Sequence, residues 1–567
     1  MSGFIVDTAD GKVKGKVCDD YLGGKFFGFY GIPYAKPPIG DLRFKPPQEQ
    51  EPWQGIKDAT KEGPACPSRH LVGQYFMGKE DNCLNLNVFT KHIPKNDEES
   101  LKPVMVFIHG GGFVYGNNKG EIYGPQFLLI EDIVLVVVNY RIGVFGFLAL
   151  EDQSLGISGN AGLKDQVMAL KWVQRNIRHF GGDPNNVTLF GQSAGSASTH
   201  LHMLSPLSKG LFHKAICQSG VALNLWAKGF PNAKVIARDL GYKETDEKSI
   251  FEKLKMESVR KIVNAQYKID EDLNPDQQRP YCPIIEHPSD EAFLSEDPVE
   301  IIKSGRYNKV PFMIGYTSKE GILYALFGKI IPNKLPKNLE HEVPFDLNIN
   351  GDADKEKIVK KKIRKFYFNN KELTGDTIDE FFHLKGDLGF KYHIQKALEL
   401  HRSTNENPMY FYIFSHDGPM NLAKDMALKE HRYTTLGTLL LASISQGVNW
   451  VNKLAHAWMK KIPEKKIDGP CHCDELSYMF RQSIHPKIEP GSQNDFYVRR
   501  MVKLWTNFAM QGHPTPHRQD ELLNNIVWEA ITKDNLNYLK IDAKLSMDMD
   551  PDKAIIDFWD DIYSNKN

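Results

Sequence analysis

A serine framed by glycines, in Val187-Thr188-Leu189-Phe190-Gly191-Gln192-Ser193-Ala194-Gly195-Ser196-Ala197, carries the most specific chemical signal in this 567-residue chain. Four residues of strand character lead into Gly-x-Ser-x-Gly, and small residues able to open a helix follow. A sharp turn in that context strains the serine backbone and lifts its hydroxyl off the sheet as a nucleophile, while the flanking glycines leave room for the turn. A chain with 45 glycines also produces such a pair by chance. The pentapeptide alone leaves both readings open.

A second signal lies upstream. Pro103-Val104-Met105-Val106-Phe107-Ile108 reads as a buried strand ending in His109-Gly110-Gly111-Gly112-Phe113. Successive glycines leave backbone N–H groups unshielded, an arrangement that with the N–H of Ala194 can serve as a pocket for the oxyanion of acyl transfer; the alternatives are a flexible turn or a phosphate-binding loop. A phosphate-binding loop would require a following Lys-Ser/Thr or a G-x-G-x-x-G frame, and neither is present.

A serine hydroxyl attacks only when a neutral imidazole takes its proton, and a carboxylate must fix the tautomer of that imidazole. In the α/β-hydrolase chain order both follow the serine. Val310 to Tyr316 reads as a buried strand, which puts Glu320 just past the carboxyl end where open α/β sheets place their sites. His472 lies in the loop Gly469-Pro470-Cys471-His472-Cys473-Asp474-Glu475, ahead of an apolar stretch from Leu476 to Phe480. Among 19 histidines, position alone does not select it. The flanking Cys471 and Cys473 do not match the spacing of structural zinc frames, so no metal site is expected.

The elements that must position these residues alternate. Strands are expected at Leu84 to Thr90, Ile133 to Tyr140, Lys214 to Ser219 and Met409 to Phe414, and a helix from Gly162 to His179, where Leu163, Val167, Leu170, Trp172, Val173 and Ile177 share a face. Such alternation implies a mostly parallel sheet covered on both faces by helices. Short alternating runs from Phe4 to about residue 60 suggest a small N-terminal antiparallel sheet. Lys-rich stretches at Lys95 to Lys102, Tyr242 to Lys255 and Gly351 to Lys365 read as solvated helices or loops.

With these motifs in hand, the chain resembles the type-B carboxylesterases, which include cholinesterases, insect carboxylesterases and juvenile hormone esterases. The resemblance runs from Gly11-Lys12-Val13-Lys14-Gly15 to Trp528. It takes in Gly31-Ile32-Pro33-Tyr34-Ala35, Leu42-Arg43-Phe44, Cys83 to Val88, His109 to Phe113, Asn160 to Gln166, Phe180 to Pro184, Gly191 to Gly195, Gln218-Ser219-Gly220, Glu320-Gly321 and Gly469-x-x-His472. It implies an α/β-hydrolase fold in one large domain over residues 1–567. It also implies a Ser193, Glu320, His472 triad, an oxyanion hole from Gly111, Gly112 and Ala194, and no cofactor. The activity implied is hydrolysis of small-molecule carboxylic esters through an acyl-enzyme, including xenobiotic or insecticide esters, with organophosphates as covalent inhibitors.

Departures bear on the substrate. The sequence has no tryptophan between Trp53 and Trp172, and the cholinesterase choline-site position falls near Gly73, so choline esters are disfavoured. Gln192 is similar to the Gly-Gln-Ser-Ala-Gly form of juvenile hormone esterases, which makes that activity the alternative. Trp226 resembles the acyl-pocket region, and Phe113 would wall the same pocket; both are equally readable as core. A ligand-sequestering or adhesion protein on this fold would usually lack a triad member. Leu436, Leu440, Ile444, Val451, Leu454 and Trp458 suggest an added packed helix, or a lid, between residues 415 and 468.

Composition limits the alternatives. Lys+Arg 71 balances Asp+Glu 71 without a basic stripe, which leaves nucleic acid unsupported as a partner. The apolar run from Ile133 to Val138 is far short of the roughly 18 residues of a membrane span. Met1 to Gly11 lacks a basic and an apolar region of the kind a signal peptide has, and the expectation drawn is a cytosolic protein, or a secreted one if the N-terminus is truncated. Seven cysteines argue against a disulfide scaffold, though Cys66 and Cys83 enclose a short loop and would pair in an oxidising compartment. Asn186-Val187-Thr188 abuts the strand before Ser193 and is read as a chance glycosylation match.

Overall fold

The computed structural model describes residues 4–71, 75–96, 99–267, 278–326, 339, 341–349, 351–429 and 467–564. The six apolar positions from Leu436 to Trp458, and Gly73, lie outside the described residues.

Thirteen strands form one sheet: β1 (Phe4–Thr8), β2 (Gly11–Asp19), β3 (Lys25–Pro33), β4 (Ile56–Asp58), β5 (Asn85–Thr90), β6 (Lys102–Ile108), β7 (Val134–Val138), β8 (Gly182–Gln192), β9 (Lys214–Gln218), β10 (Phe312–Thr317), β11 (Met409–Phe414), β12 (Asn537–Ile541) and β13 (Leu545–Met549). Their order is β1-β2-β3-β5-β7-β6-β8-β9-β10-β11-β12-β13, with β4 paired to β2. From β7 to β12 every pairing is parallel, and the N-terminal β1, β2, β3 and β5 are antiparallel. The expected N-terminal antiparallel sheet is present and runs directly into the parallel part through β5 and β7.

The central strands read as unbroken apolar runs because both faces are covered. Successive residues of β6 divide between two cores: Val104, Val106 and Ile108 pack on one side, Met105 and Phe107 on the other. Helix α1 (Ala161–Asn176) brings Leu163, Leu170, Trp172 and Val173 to the first core. On the opposite face a helix from Gln493 to Gln511 contributes Val498, Val502, Trp505 and Phe508. That second helix was not among the elements expected, although Val498, Met501, Val502, Trp505, Phe508 and Ala509 recur at helical spacing along it. The Lys-rich stretches hold helices at Glu247–Met256 and Ala353–Phe368, each with an exposed basic face.

Two connections matter for chemistry. Strand β8 ends at Gln192 and helix α2 (Ala194–Leu204) starts at Ala194, leaving one residue for the reversal. Farther on, the helix Ile378–Gly386 passes through a single π-helical turn, Asp387–Lys391, into the helix Tyr392–Thr404. Such turns displace side chains from the regular helical register and are frequent at functional sites.

Candidate active site

Ser193 occupies the single-residue reversal with φ 59 and ψ −123, a conformation that L-residues adopt only when their surroundings impose it. The constraint comes from both sides. A side chain on Gly191 would run into the Gly195 carbonyl, and one on Gly195 into the Ile108 carbonyl of β6. The Ser193 N–H donates to Gln218 O of β9 at 2.8 Å, and Ser193 O accepts from Ala197 N at 2.9 Å. The serine backbone is thus tied to the neighbouring strand and to the first turn of α2.

Strand β10 delivers Glu320 through a short 3₁₀ turn, Glu320–Ile322, and the carboxyl group is fully buried. Its Oε1 accepts from Ser219 Oγ at 2.6 Å and from Thr317 N at 2.7 Å. Its Oε2 meets His472 Nδ1 at 2.5 Å. The two loops are held together beside this contact: Lys319 bridges to Cys471, with Lys319 N donating to Pro470 O at 3.2 Å. Asp474 completes the His472 loop, accepting from Cys471 N at 2.6 Å and from Ala423 N at 2.9 Å.

On the opposite edge of the imidazole, Nε2 pairs with the Gln192 side-chain amide at 3.1 Å. Among the described residues this amide, and not the Ser193 hydroxyl, is the hydrogen-bond partner of Nε2. Gln192 precedes Ser193 in sequence, so the imidazole reaches the Ser193 turn.

The glycine loop follows β6 and lies against this turn, a Cβ built on Gly110 falling 3.0 Å from Ser193 Cβ. Gly111 and Gly112 have φ 116 and 59, and Phe113 follows at φ 66. The Gly111 carbonyl accepts from Val114 N at 3.1 Å and Tyr115 N at 2.8 Å, which folds the loop back on itself. No described residue accepts from the N–H groups of Gly111, Gly112 or Ala194. His109 braces the loop from beneath; its Nδ1 contacts Gly110 O at 2.9 Å, and its ring stacks on Tyr140 with centroids 4.4 Å apart. Burial pushes His109 down to about 4, so it is neutral here.

Phe113 and Trp226 form one wall, with ring centroids 6.3 Å apart. Trp226 Nε1 donates to Gly389 O at 2.8 Å, in the π-helical turn. That turn presents Phe390 to both sides: its ring is 5.8 Å from Trp226 and 4.5 Å from the His472 imidazole. Lys391, on the same turn, pairs with Asp387 at 3.1 Å in the interior. Phe390 carried no signal in the sequence.

Behind the acid sits another carboxyl group. Glu475 is fully buried; its Oε1 accepts from Gln218 Nε2 at 3.2 Å, and Gln218 Oε1 accepts from Trp505 Nε1 at 3.2 Å. Among the described residues Glu475 Oε2 has no partner, and burial, reinforced by the Glu320 charge, pushes this group up to about 8. Glu475 is therefore mostly protonated at neutral pH. Ser219 and Glu475 both lay in segments singled out in the sequence, but only the fold reveals that one holds Glu320 and the other abuts it. Among the described residues no His, Cys, Asp or Glu group is arranged to hold a metal ion.

The doubly covered parallel sheet, with a strained serine at a strand-to-helix reversal and a carboxyl-backed imidazole beyond a later strand, is an α/β hydrolase. The carboxylesterase family model matches residues 2–559, and the chain belongs to that family. It is 35% identical to the juvenile hormone esterase of Tribolium castaneum over 95% of this chain and 87% of that relative. It is 30% identical to venom carboxylesterase-6 of Apis mellifera over 99% of this chain and 95% of that relative. The structure of the juvenile hormone esterase from Manduca sexta, with OTFP covalently attached, superposes with a TM-score of 0.81 at 30% identity, covering 99% of this chain and 100% of that one. The chain is a carboxylic ester hydrolase.

The expectation of a cytosolic protein is corrected by these relatives. The similar insect esterases, a venom enzyme among them, point to an extracellular rather than a cytoplasmic protein. That expectation rested on the first eleven residues, which decide nothing about compartment. Cys66 and Cys83 are joined in a disulfide with Cα atoms 4.8 Å apart, the pairing an oxidising compartment favours. No described helix is long and apolar enough to cross a membrane.

Proposed function

We propose that the unit spanning residues 1–567 hydrolyses carboxylic esters with Ser193 as nucleophile, His472 as general base and Glu320 as the acid that orients it. The observation that carries this assignment is the buried His472–Glu320 contact at 2.5 Å, placed beside the strained Ser193 turn. An amide nitrogen can only donate, so Gln192 meets a lone pair on His472 Nε2, and the imidazole proton sits on Nδ1 toward Glu320. That tautomer accepts the Ser193 proton once the Gln192 amide gives way.

The Ser193 alkoxide adds to the ester carbonyl, and the N–H groups of Gly111, Gly112 and Ala194 receive the charge that develops on oxygen. His472 passes its proton to the departing alcohol, leaving the acyl group on Ser193. A water molecule, deprotonated by the same imidazole, then releases the acid. Phe113 and Trp226 bound the acyl side. Organophosphates would phosphorylate Ser193 by the same attack.

Ser193→Ala tests the assignment: turnover of a chromogenic ester should fall by about 10⁴-fold or more with the fold intact. Full activity in that variant, or organophosphate labelling at another residue, would overturn it. A second reading, juvenile hormone as the ester, is favoured by Gln192 within Gly191–Gly195 and by the juvenile hormone esterases among the similar proteins. A turnover panel that includes a juvenile hormone analogue separates it from general esterase activity.

A further inference from the structure

Arg279 stands beside the glycine loop, and no carboxylate among the described residues pairs with it. A Cβ built on Gly112 would lie 3.1 Å from Arg279 Nη1, so the guanidinium rests against the open face of a glycine in the oxyanion pocket. Tyr324 lies within the field of the same charge: burial pushes its hydroxyl up to about 12, the Arg279 charge pulls it the other way, and Glu342, itself paired with Lys385, pushes it up. A Cβ on Gly389 would lie 3.0 Å from Tyr324 Oη, and Gly389 is the residue whose carbonyl holds Trp226. Gly112, Arg279, Tyr324, Gly389 and Trp226 are therefore linked one to the next in this part of the fold.

The arginine is half-buried, and its side chain makes no ion pair or hydrogen bond with any described residue. Elsewhere the interior cations are answered, as Arg141 is by Asp165 at 2.6 Å and Lys164 by Glu286 at 2.7 Å. A partly desolvated cation gains most from an anion that completes its hydrogen bonds, and the planar guanidinium fork matches a carboxylate with two parallel bonds. In a cleft otherwise walled by Phe113, Trp226 and Phe390, a wholly apolar ester supplies no such partner.

We infer that Arg279 is a specificity-determining residue that binds a carboxylate carried by the substrate itself. The favoured substrates are then esters bearing a second, ionised carboxyl group: half-esters of dicarboxylic acids, or acylated hydroxy acids. This inference rests on the reading of Ser193 and Gly112 as the reacting centre.

The test compares kcat/KM, followed by proton release, for two pairs of esters: monoethyl adipate against ethyl hexanoate, and 4-acetoxybutanoate against pentyl acetate. In at least one pair, Arg279→Met should lower the anionic-to-neutral ratio about 10- to 100-fold, the size of a charge-assisted hydrogen-bonded pair. Arg279→Lys should recover only part of the ratio, because a single ammonium cannot reproduce the fork. The loss should persist in high salt. A change below about threefold in both pairs, or one that salt abolishes, would mean a distant field instead of a contact and would overturn the inference. If the unaltered chain lacks Ser193-dependent turnover of the neutral esters, the catalytic reading itself fails, which distinguishes the two failures.

Discussion

The Gln192 side-chain amide donates to Nε2 of His472 at 3.1 Å, on the ring nitrogen opposite Glu320. On the proposed assignment, the residue before the nucleophile thus occupies the lone pair that must take the nucleophile's proton. Serine and glutamine compete for one acceptor, and the resting arrangement keeps the base in its productive tautomer.

Gln192→Glu replaces that donor with a carboxylate a few ångströms from the imidazole. An adjacent anion favours the protonated ring, and only the neutral ring acts as base. The acid limb of the kcat/KM profile should therefore move to higher pH by about one unit. Superimposable pH–rate profiles for the two proteins would show that this side chain does not govern the base.

Glu320 is held by Ser219 Oγ and Thr317 N on one oxygen, leaving the other for His472. Glu320→Gln keeps the shape but removes the charge that stabilises the imidazolium, and turnover should fall by about 10⁴-fold. Ser219→Ala removes one of two bonds to the same oxygen, so the carboxylate keeps its place with more freedom. Its loss should be near fivefold, corresponding to about 1 kcal/mol. Equal losses in the two variants, measured on one chromogenic ester, would mean Ser219 is doing more than positioning.

Trp226 is fixed at both ends, by its Nε1 bond to Gly389 O and by packing between Phe113 and Phe390. Trp226→Ala opens the wall on the acyl side while Phe390 remains over the imidazole. The ratio of kcat/KM for a hexanoyl over an acetyl ester should rise at least about 10- to 100-fold, the worth of a single methylene newly admitted to an apolar pocket, roughly 1–3 kcal/mol. An unchanged ratio would return Trp226 to the core.

How far the sequence revealed this site depended on how local each feature is. The Ser193 turn is specified within eleven residues, because the strand, the glycines and the small helix-opening residues are contiguous. β11, expected at Met409 to Phe414, is found at Met409–Phe414, because a fully buried strand shows as an apolar run. Phe390 was invisible, since its place over His472 depends on a π-helical turn that no local spacing announces. Arg279 and Glu475 were equally silent: a charged residue in a loop reads as solvated until the fold closes around it. The compartment was misjudged because a few terminal residues were asked to decide it, while the Cys66–Cys83 pairing was legible only as conditional on it.

Buried histidines behind the nucleophile predict a sharp loss of stability in acid. His200 and His202 lie on helix α2, which opens at Ser193; burial pushes each down to about 3 from an ordinary value of 6.5. His200 Nε2 pairs with His401 Nε2 at 2.8 Å, and His202 bonds Ser208 Oγ at 2.7 Å and Gln166 Oε1 at 2.9 Å. An unfolded chain takes up these protons as pH falls below 6.5, whereas the folded chain refuses them until about 3. Stability should thus fall with decreasing pH across that window, by about 1.4 kcal/mol per pH unit for each such proton. Glu475 acts in the opposite sense: the folded state keeps its proton to about 8 while the unfolded state releases it near 4.5, so its contribution falls as pH rises between those values. His202→Gln preserves a donor for Gln166 and removes one titrating group, so its denaturant midpoint should drop less steeply below pH 6.5. Glu475→Gln should flatten the alkaline side alone. Parallel midpoint-versus-pH curves for the original chain and both variants would mean that these buried groups do not control its acid and alkaline limits.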